Sequence, residues 1–389
     1  MNPALSSDRK EDLRKGGVKI LIAAGGSGGH IFPAVALART LKKRYSDTDI
    51  RFVGSDKSLD RRIFEKEGFG FFLLSANKLP YKISPESPVF FLKLSVDVVR
   101  AFFIIASYRP DVVVGFGGYV SFPVIFASRL FWIPSLVHEQ NVVAGRANSF
   151  LFKLANRIAV SFEETKKLLG RAAEKCVFTG NPIRSDEFSE KSASGDRTLG
   201  IRRFGLDASK FTILVIGGSQ GAHFLNEVFI EALSALGQDL RASLQVIHIT
   251  GVKDYEWAIG AYEELSGIDH RVHSFIDRIE EAYRAADLVV TRSGASAIFE
   301  IAFFGKPMIL VPYPFALSHQ LENAAVFAGK GAAVKIEESE LSAGSLGDSL
   351  SSLIKDGERL RNLAEAARRL SVAEASDNLA NEVLALVKR

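Results

Sequence analysis

The chain has 389 residues, 47% hydrophobic and 24% charged, with a formal net charge of +4. That length exceeds one comfortable core and points to two globular domains of similar size, while so mild a charge gives no case for nucleic acid and leaves room for an anionic ligand or membrane surface. The one cysteine, Cys176, excludes an internal disulfide and fits a reducing compartment.

The charged opening, MNPALSSDRKEDLRKGG, has no apolar h-region and reads as a frayed extension rather than a secretory signal. No uncharged apolar run reaches the roughly 18 residues that a membrane span needs. VKILIAA (18–24) is an apolar run of strand length that stops at GGSGGH, and Pro33 suits the first turn of the helix that follows. DIRFVGS (49–55) is the next strand, then a charged helix from Leu59 to Gly68 and the strand FGFFLLS (69–75). DVVVGFGGYVSFP (111–123) runs from a strand into a second glycine loop, and IPSLVHEQN (133–141), NRIAVSF (156–162) and KCVFTGNP (175–182) complete the half. Apolar strands separated by helices and short glycine loops predict a parallel, doubly wound α/β sheet. Residues 189–199, SEKSASGDRTL, have the composition of a linker. The rhythm then restarts with strands at 211, 243, 270, 286 and 306, and the chain ends in helices. Both halves open with strand, Gly-Gly-Ser-x-Gly, helix, which is a duplicated architecture. Open parallel sheets bind ligands outside the carboxyl ends of their strands, so two facing sheets predict a cleft.

The glycine loops carry the chemistry. In GGSGGH, Gly26 and Gly28 fit the dinucleotide fingerprint but Ile31 stands where its third glycine belongs, and no Lys-Ser/Thr follows as a P-loop requires. A tight turn without a ligand is the plain alternative. In GGSQGA (217–222), Ser219 and Gln220 can donate to phosphate oxygens. In TRSGASAIFEIAFF, Ser293 and Gly294 begin a helix whose first N–H groups, at Ala295, Ser296 and Ala297, suit a phosphate. Glu300, about two turns in, can accept two hydrogen bonds from a ribose diol, and its apolar flanks argue against a free surface. PYPFALSHQLENA holds His319, Gln320 and Asn323, which can bond sugar hydroxyls or simply cap a helix. His138, Glu139, Gln140 and Asn141 cluster at a strand end with no HExxH spacing, a poor metal site. Arg184 in TGNPIR can reach a diphosphate or form an interdomain salt bridge.

In this order, GGSGGH, GFGGYVSFP, HEQN, TGNPIR, GGSQGA, SFID, RSGAS…E and PYPF…HQ…NA resemble the lipid II-forming N-acetylglucosamine transferases of glycosyltransferase family 28, which have the GT-B fold. The resemblance runs from about Val18 to Asn323 and on through the C-terminal helices. It implies two Rossmann-like domains facing across a cleft: residues 17–188 for the acceptor and the membrane, residues 200–370 for UDP-GlcNAc, and a helix in 371–389 packing back on the first domain. It implies inverting transfer of GlcNAc from UDP-GlcNAc to the 4-hydroxyl of MurNAc in lipid I, undecaprenyl-pyrophosphoryl-MurNAc-pentapeptide. No cofactor and no metal are expected, and no Asp-x-Asp stands at a predicted strand end. The place implied is the cytoplasmic face of the bacterial inner membrane, as a peripheral protein beside other cell-wall or division proteins.

By the same resemblance, Ser27, Gly28, Gly29 and His30 contact the donor sugar and the acceptor diphosphate. Asn141 binds GlcNAc, Arg184 and Ser219 the donor phosphates, and Ile276 the uracil through its backbone. Ala295, Ser296 and Ala297 hold phosphate, Glu300 the ribose diol and Gln320 the sugar, while Tyr119, Glu139 and Asn148 surround the acceptor. His30 is the expected general base, with Glu139 as the alternative base or its partner. Two positions depart from the family pattern: Ser27 stands for a threonine, and His319 occupies a position that is Gln in some members, so either 319 or 320 grips the sugar. The Phe-rich segment 69–109, with Lys78, Lys82, Lys93 and Arg100, suits an anionic lipid surface, or is helix core; Asp97 and Arg100 argue against insertion across a membrane. The rival readings are a two-domain oxidoreductase, which the fingerprint broken at Ile31 disfavours, a binding-only relative, another GT-B lipid glycosyltransferase and a UDP-sugar epimerase.

Overall fold

A computed structural model describes residues 17–75, 87–184, 197–217, 222–314 and 319–387. The chain divides into two units, the first running to Arg184 and resuming at Ala373, the second filling Ser185–Val372. Unit 1 is a seven-stranded sheet of β1 (Lys19–Ala23), β2 (Asp49–Ser55), β3 (Gly70–Leu74), β4 (Val112–Gly115), β5 (Ser135–Glu139), β6 (Arg157–Val160) and β7 (Cys176–Phe178), in the order 3-2-1-4-5-6-7. Unit 2 is a six-stranded sheet of β8 (Phe211–Ile216), β9 (Leu244–Ile249), β10 (Asp269–His273), β11 (Leu288–Thr291), β12 (Met308–Leu310) and β13 (Val334–Lys335), in the order 10-9-8-11-12-13. Every strand pair is parallel. The two orders match strand for strand apart from the extra edge strand β7, and each reverses direction beside its first strand, between β1 and β4 and between β8 and β11. Such a switch point opens a crevice at the strands' carboxyl ends.

The sequence KILIA becomes a central strand because it is apolar on both faces. Ile20 and Ile22 join one half of the core, and Leu21 and Ala23 join the other. The first half-core also takes the helix Gly28–Arg44, through Ile31, Ala34, Val35 and Ala38, and the C-terminal helix Ala375–Leu386, through Leu379, Ala380, Val383 and Leu384. The second takes the helices Ser87–Tyr108 and Ser121–Leu130. Arg44 reaches Asp377 at 3.0 Å across the first pair of helices, so the last helix is built into unit 1.

Two expectations differ from what folds, and one strand goes beyond them. KCVFTGNP makes a ladder only at Cys176–Phe178; Gly180 turns with φ +78° and Pro182 has no N–H to offer a neighbouring strand. The two-residue β13 is too short for any periodicity to announce it. Within the expected linker, residues to 196 lie outside the described ones, but Arg197–Arg203 is helical, and Arg197 donates to Asp287 at 2.8 Å and to the carbonyls of Ala208 and Lys210. Among the described residues, no helix is long and apolar enough to cross a membrane, and no cluster of His, Cys, Asp or Glu could hold a metal. Ser219, Lys78 and Lys82 lie outside the described residues.

Candidate active site

The glycine loop after β1 leads into the helix Gly28–Arg44 with Ser27 at its N-cap, in extended backbone and without the usual side-chain cap. The Ser27 hydroxyl lies 3.2 Å from His30 Nδ1 instead, and Nδ1 also lies 3.4 Å from the carbonyl oxygen of Gly25. From the other side of the switch point comes the loop after β4, where Gly117 and Gly118 are left-handed at φ +90° and +72°. A Cβ on Gly118 would stand 2.7 Å from the Gly25 carbonyl oxygen and 3.3 Å from His30 Nδ1, so only glycine lets this loop close on the imidazole. A Cβ on Gly117 would lie 3.3 Å from His30 Nε2 and 3.2 Å from Asn148 Nδ2, so that ring and that amide share one patch of backbone.

β5 delivers HEQN to the same end of the sheet, and its four residues divide their work. His138 is fully buried; its Nε2 donates to the Gly180 carbonyl (3.3 Å), its Nδ1 accepts from Gln140 Nε2 (3.1 Å), and burial lowers its pKa to about 4. Gln140 also donates to the Phe116 carbonyl at 3.0 Å, so both residues help to lock the strand end. Glu139, 1% exposed, accepts four N–H bonds: Asn141 N (2.9 Å), Asn141 Nδ2 (3.1 Å), Gly145 N (3.2 Å) and Asn148 Nδ2 (2.8 Å). A carboxylate that can only accept fixes which way each amide points. It leaves Asn148 Oδ1 a buried acceptor with no hydrogen-bond partner. Tyr119 is half-buried in the turn after Gly118. Arg184 lies over the Phe32 ring at 4.5 Å, and that ring packs where a Cβ on Gly28 would be, beside the start of the glycine-loop helix.

In unit 2 the β11 loop ends at Gly294, the N-cap of the helix Ala295–Phe303. Ala295 is buried, and Ser296 and Ala297 are half-buried. Ser293 Oγ donates to the Gln320 carbonyl at 2.7 Å and Asn323 Nδ2 donates to the Ser293 carbonyl at 3.1 Å, which ties the helix His319–Gly329 to that N-terminus. Asn323 is fully buried and serves this tie. The Gln320 Oε1 accepts from the Tyr313 N–H at 3.0 Å, so its amide nitrogen is turned the other way. Glu300 is buried, and Tyr283 donates to its Oε2 at 3.3 Å. Ile276 is half-buried just beyond β10, and His319 Nδ1 is buried without a partner.

Sequence alone points to His30, Glu139 and Glu300 but passes over Asp60 under the glycine loop, Tyr283 beside Glu300, and Gly117 and Gly118 against His30. Asp60 sits in what reads as a charged helix face, and a tyrosine in EEAYRAAD carries no sign that its hydroxyl meets a carboxylate 17 residues on. The glycines of GFGGY are visible, but what they make room for is set by the pairing of β4 with β1.

The profile of the glycosyltransferase family 28 N-terminal domain matches residues 20–160, and that of the family's C-terminal domain matches residues 212–379. The chain belongs to glycosyltransferase family 28. This family 28 chain is 36% identical over 381 residues, 98% of its length and 99% of the relative's, to a UDP-N-acetylglucosamine–N-acetylmuramyl-(pentapeptide) pyrophosphoryl-undecaprenol N-acetylglucosamine transferase of Desulfotalea psychrophila. A protein of the same name from Halothermothrix orenii is 37% identical over 372 residues, 94% and 98% of the two chains. Among solved structures it is similar to MurG from Acinetobacter baumannii, with a TM-score of 0.72 and 27% identity over 94% of this chain and 99% of that one. The two-domain family match and these relatives place the two parallel-sheet units in the GT-B class of fold.

Proposed function

We propose that this family 28 enzyme is an inverting glycosyltransferase that moves GlcNAc from UDP-GlcNAc to the 4-hydroxyl of MurNAc in lipid I, producing lipid II for peptidoglycan. The observation that carries the reading is the identity of 36% and 37% along nearly the whole chain to relatives named for that transfer. The switch points of the two sheets supply the groups it needs. Unit 1 offers the acceptor's end of the reaction, with His30, Asn148 and the glycine loops; unit 2 offers the donor's, with the helix N-terminus at Ala295, Ser296 and Ala297 for phosphate, Glu300 for the ribose diol and Gln320 for the sugar.

In this mechanism the acceptor's 4-oxygen attacks the anomeric carbon from the face opposite UDP. A new C–O bond forms as the bond to UDP breaks, its electron pair leaving with UDP, and the configuration inverts. The hydroxyl proton passes to His30. A proton on Nδ1 satisfies the Gly25 carbonyl, which can only accept, and this tautomer leaves the lone pair on Nε2, the nitrogen beside Asn148. Glu139, with four N–H donors on its carboxylate, is better suited to arranging Asn141, Gly145 and Asn148 than to taking a proton. The charge developing on UDP is met by the N–H groups and dipole of the helix Ala295–Phe303, with Arg184 and Ser219 as further donors.

The acceptor's polyprenyl tail calls for a membrane surface. On unit 1 the helices Ser87–Tyr108 and Ser121–Leu130 expose Phe91, Leu92, Phe103 and Leu130, and Trp132 follows at 79% exposure with the Arg129 guanidinium over its ring at 5.1 Å. Lys93 and Arg100 are exposed on the first of these helices. Apolar and aromatic side chains among cations favour peripheral binding to an anionic leaflet, on the cytoplasmic side where the nucleotide donor is made. Asp97, on the same helix, does not face the surface: it is buried and accepts from the Ser75 N–H (3.0 Å) and hydroxyl (2.9 Å).

The deciding experiment is transfer of labelled GlcNAc from UDP-GlcNAc to a lipid I analogue, with the product's β-linkage read by NMR. Label appearing on a different lipid-linked sugar would make the chain another UDP-sugar transferase, and label appearing on none would remove the reading.

A further inference from the structure

We propose that Asp60 and Lys57, at the start of the helix after β2, form a two-sided clamp on Gly26 that sets the glycine loop and, through it, the His30 ring; the proposal deepens the transferase reading and rests on it for its kinetic consequence. Asp60 is 0% exposed and both of its oxygens are engaged. It accepts from the Gly26 N–H at 2.9 Å and 3.2 Å, from the Ser55 N–H at 2.8 Å and from the Ser55 hydroxyl at 2.7 Å. A carboxylate is expensive to bury unless it is paired and bonded, and here three donors and the N-terminus of its own helix, Ser58–Glu67, stabilise the charge. From the solvent side, Lys57 Nζ donates to the carbonyl of the same glycine at 3.1 Å. Both polar groups of Gly26 are thereby fixed by one short turn.

The fit is close. A Cβ on Gly25 would stand 2.5 Å from Asp60 Oδ2, so the loop's first glycine is the space the carboxylate occupies. The carbonyl of that residue is one of the two groups against His30 Nδ1, and Ser27, one residue past the clamp, supplies the other. The clamped Gly26 nitrogen is two covalent bonds from the Gly25 oxygen, which lies 3.4 Å from the imidazole that the mechanism uses as base. It also takes the Gly26 N–H out of the set available to an acceptor diphosphate, which must be met from Ser27 onward. Asp60 and Lys57 are positioning residues; neither touches a reacting atom.

The test is steady-state kinetics with UDP-GlcNAc and a lipid I analogue, alongside UDP affinity by calorimetry, thermal midpoint, and the imidazole signals of His30 by NMR. Asp60→Asn puts an NH2 group against N–H donors, and we expect kcat to fall about 10-fold or more, with UDP affinity within about 2-fold and the His30 signals displaced. A folded Asp60→Asn protein with wild-type kcat and unmoved His30 signals overturns the proposal. If that variant does not fold, exposed Lys57 decides: Lys57→Met should keep the thermal midpoint and UDP affinity, lower kcat several-fold and displace the His30 signals, and Lys57→Arg should restore both. Unchanged kcat and signals in Lys57→Met, or equal losses of kcat and UDP affinity, overturn it. If wild-type protein binds UDP-GlcNAc but transfers nothing, the transferase reading falls, and the His30 signals alone decide the clamp.

Discussion

His30 stands at the start of a helix, yet its surroundings come from three stretches far apart in sequence: the Gly25 carbonyl and Ser27 hydroxyl on Nδ1, and the Gly117 and Asn148 backbone and amide near Nε2. If His30 is the base with its lone pair on Nε2, as proposed, His30→Ala should lower turnover at least about 100-fold while calorimetry still records UDP binding, because the proposal assigns the nucleotide to unit 2. Glu139 makes the contrasting case. If it is the organiser its four bonds suggest, Glu139→Gln sets an NH2 group against N–H donors and should cost about 3 kcal/mol in a urea melt, along with activity. Wild-type stability with lost activity would instead restore Glu139 as a candidate base.

At the scale of elements, each sheet has a histidine buried near a strand's carboxyl end. His138 is the last residue but one of β5, and His248 on β9 accepts from the Tyr262 hydroxyl at 3.0 Å while its Nε2 donates to Asn226 Oδ1 at 3.1 Å. Burial lowers their pKa values to about 4 and about 3, so neither takes up a proton in the folded protein at mildly acid pH. An unfolded chain does take up those protons once pH drops below about 6.5, which draws the equilibrium toward unfolding. Stability from these two residues is therefore full above pH 6.5 and is lost as pH falls toward about 4 for His138 and about 3 for His248; at pH 5 the loss is about 2 kcal/mol for each histidine. Urea melts at pH 7 and pH 5 should show it, and His138→Asn together with His248→Asn should flatten the difference even as they lower stability at pH 7.

For the molecule as a whole, the chain leaves unit 1 at Arg184 and returns to it at Ala373, so the helix Ala375–Leu386 closes the first core only after the whole of unit 2 has been traversed. The same unit carries the exposed apolar side chains taken to face lipid. A Phe91→Ser, Phe103→Ser, Trp132→Ser triple variant removes apolar surface that is mostly exposed, Phe103 being 65% exposed. Sedimentation with vesicles containing anionic lipid should fall several-fold for this variant, while transfer to a water-soluble, short-chain acceptor stays at the wild-type rate. Undiminished vesicle binding would assign the membrane contact to another surface.

Two parallel α/β domains were legible because buried parallel strands must be apolar on both faces, as KILIA and FTILVI are, and because each glycine loop announces a strand turning into a helix. The candidate ligand residues were legible for a related reason, since polar side chains placed straight after such strands arrive at one end of the sheet. The division of labour among them was not. His138 and Asn323 look like ligand groups in sequence and prove to be buried in the scaffold, whereas Asp60 looks like a solvated helix charge and is buried under the glycine loop. Burial and partner choice depend on which loops the sheet order brings side by side. The pairing of β1 with both β2 and β4 sets Asp60 and Gly118 on either side of GGSGGH. Those contacts span 34 residues from Gly26 to Asp60, a separation that only the tertiary fold closes.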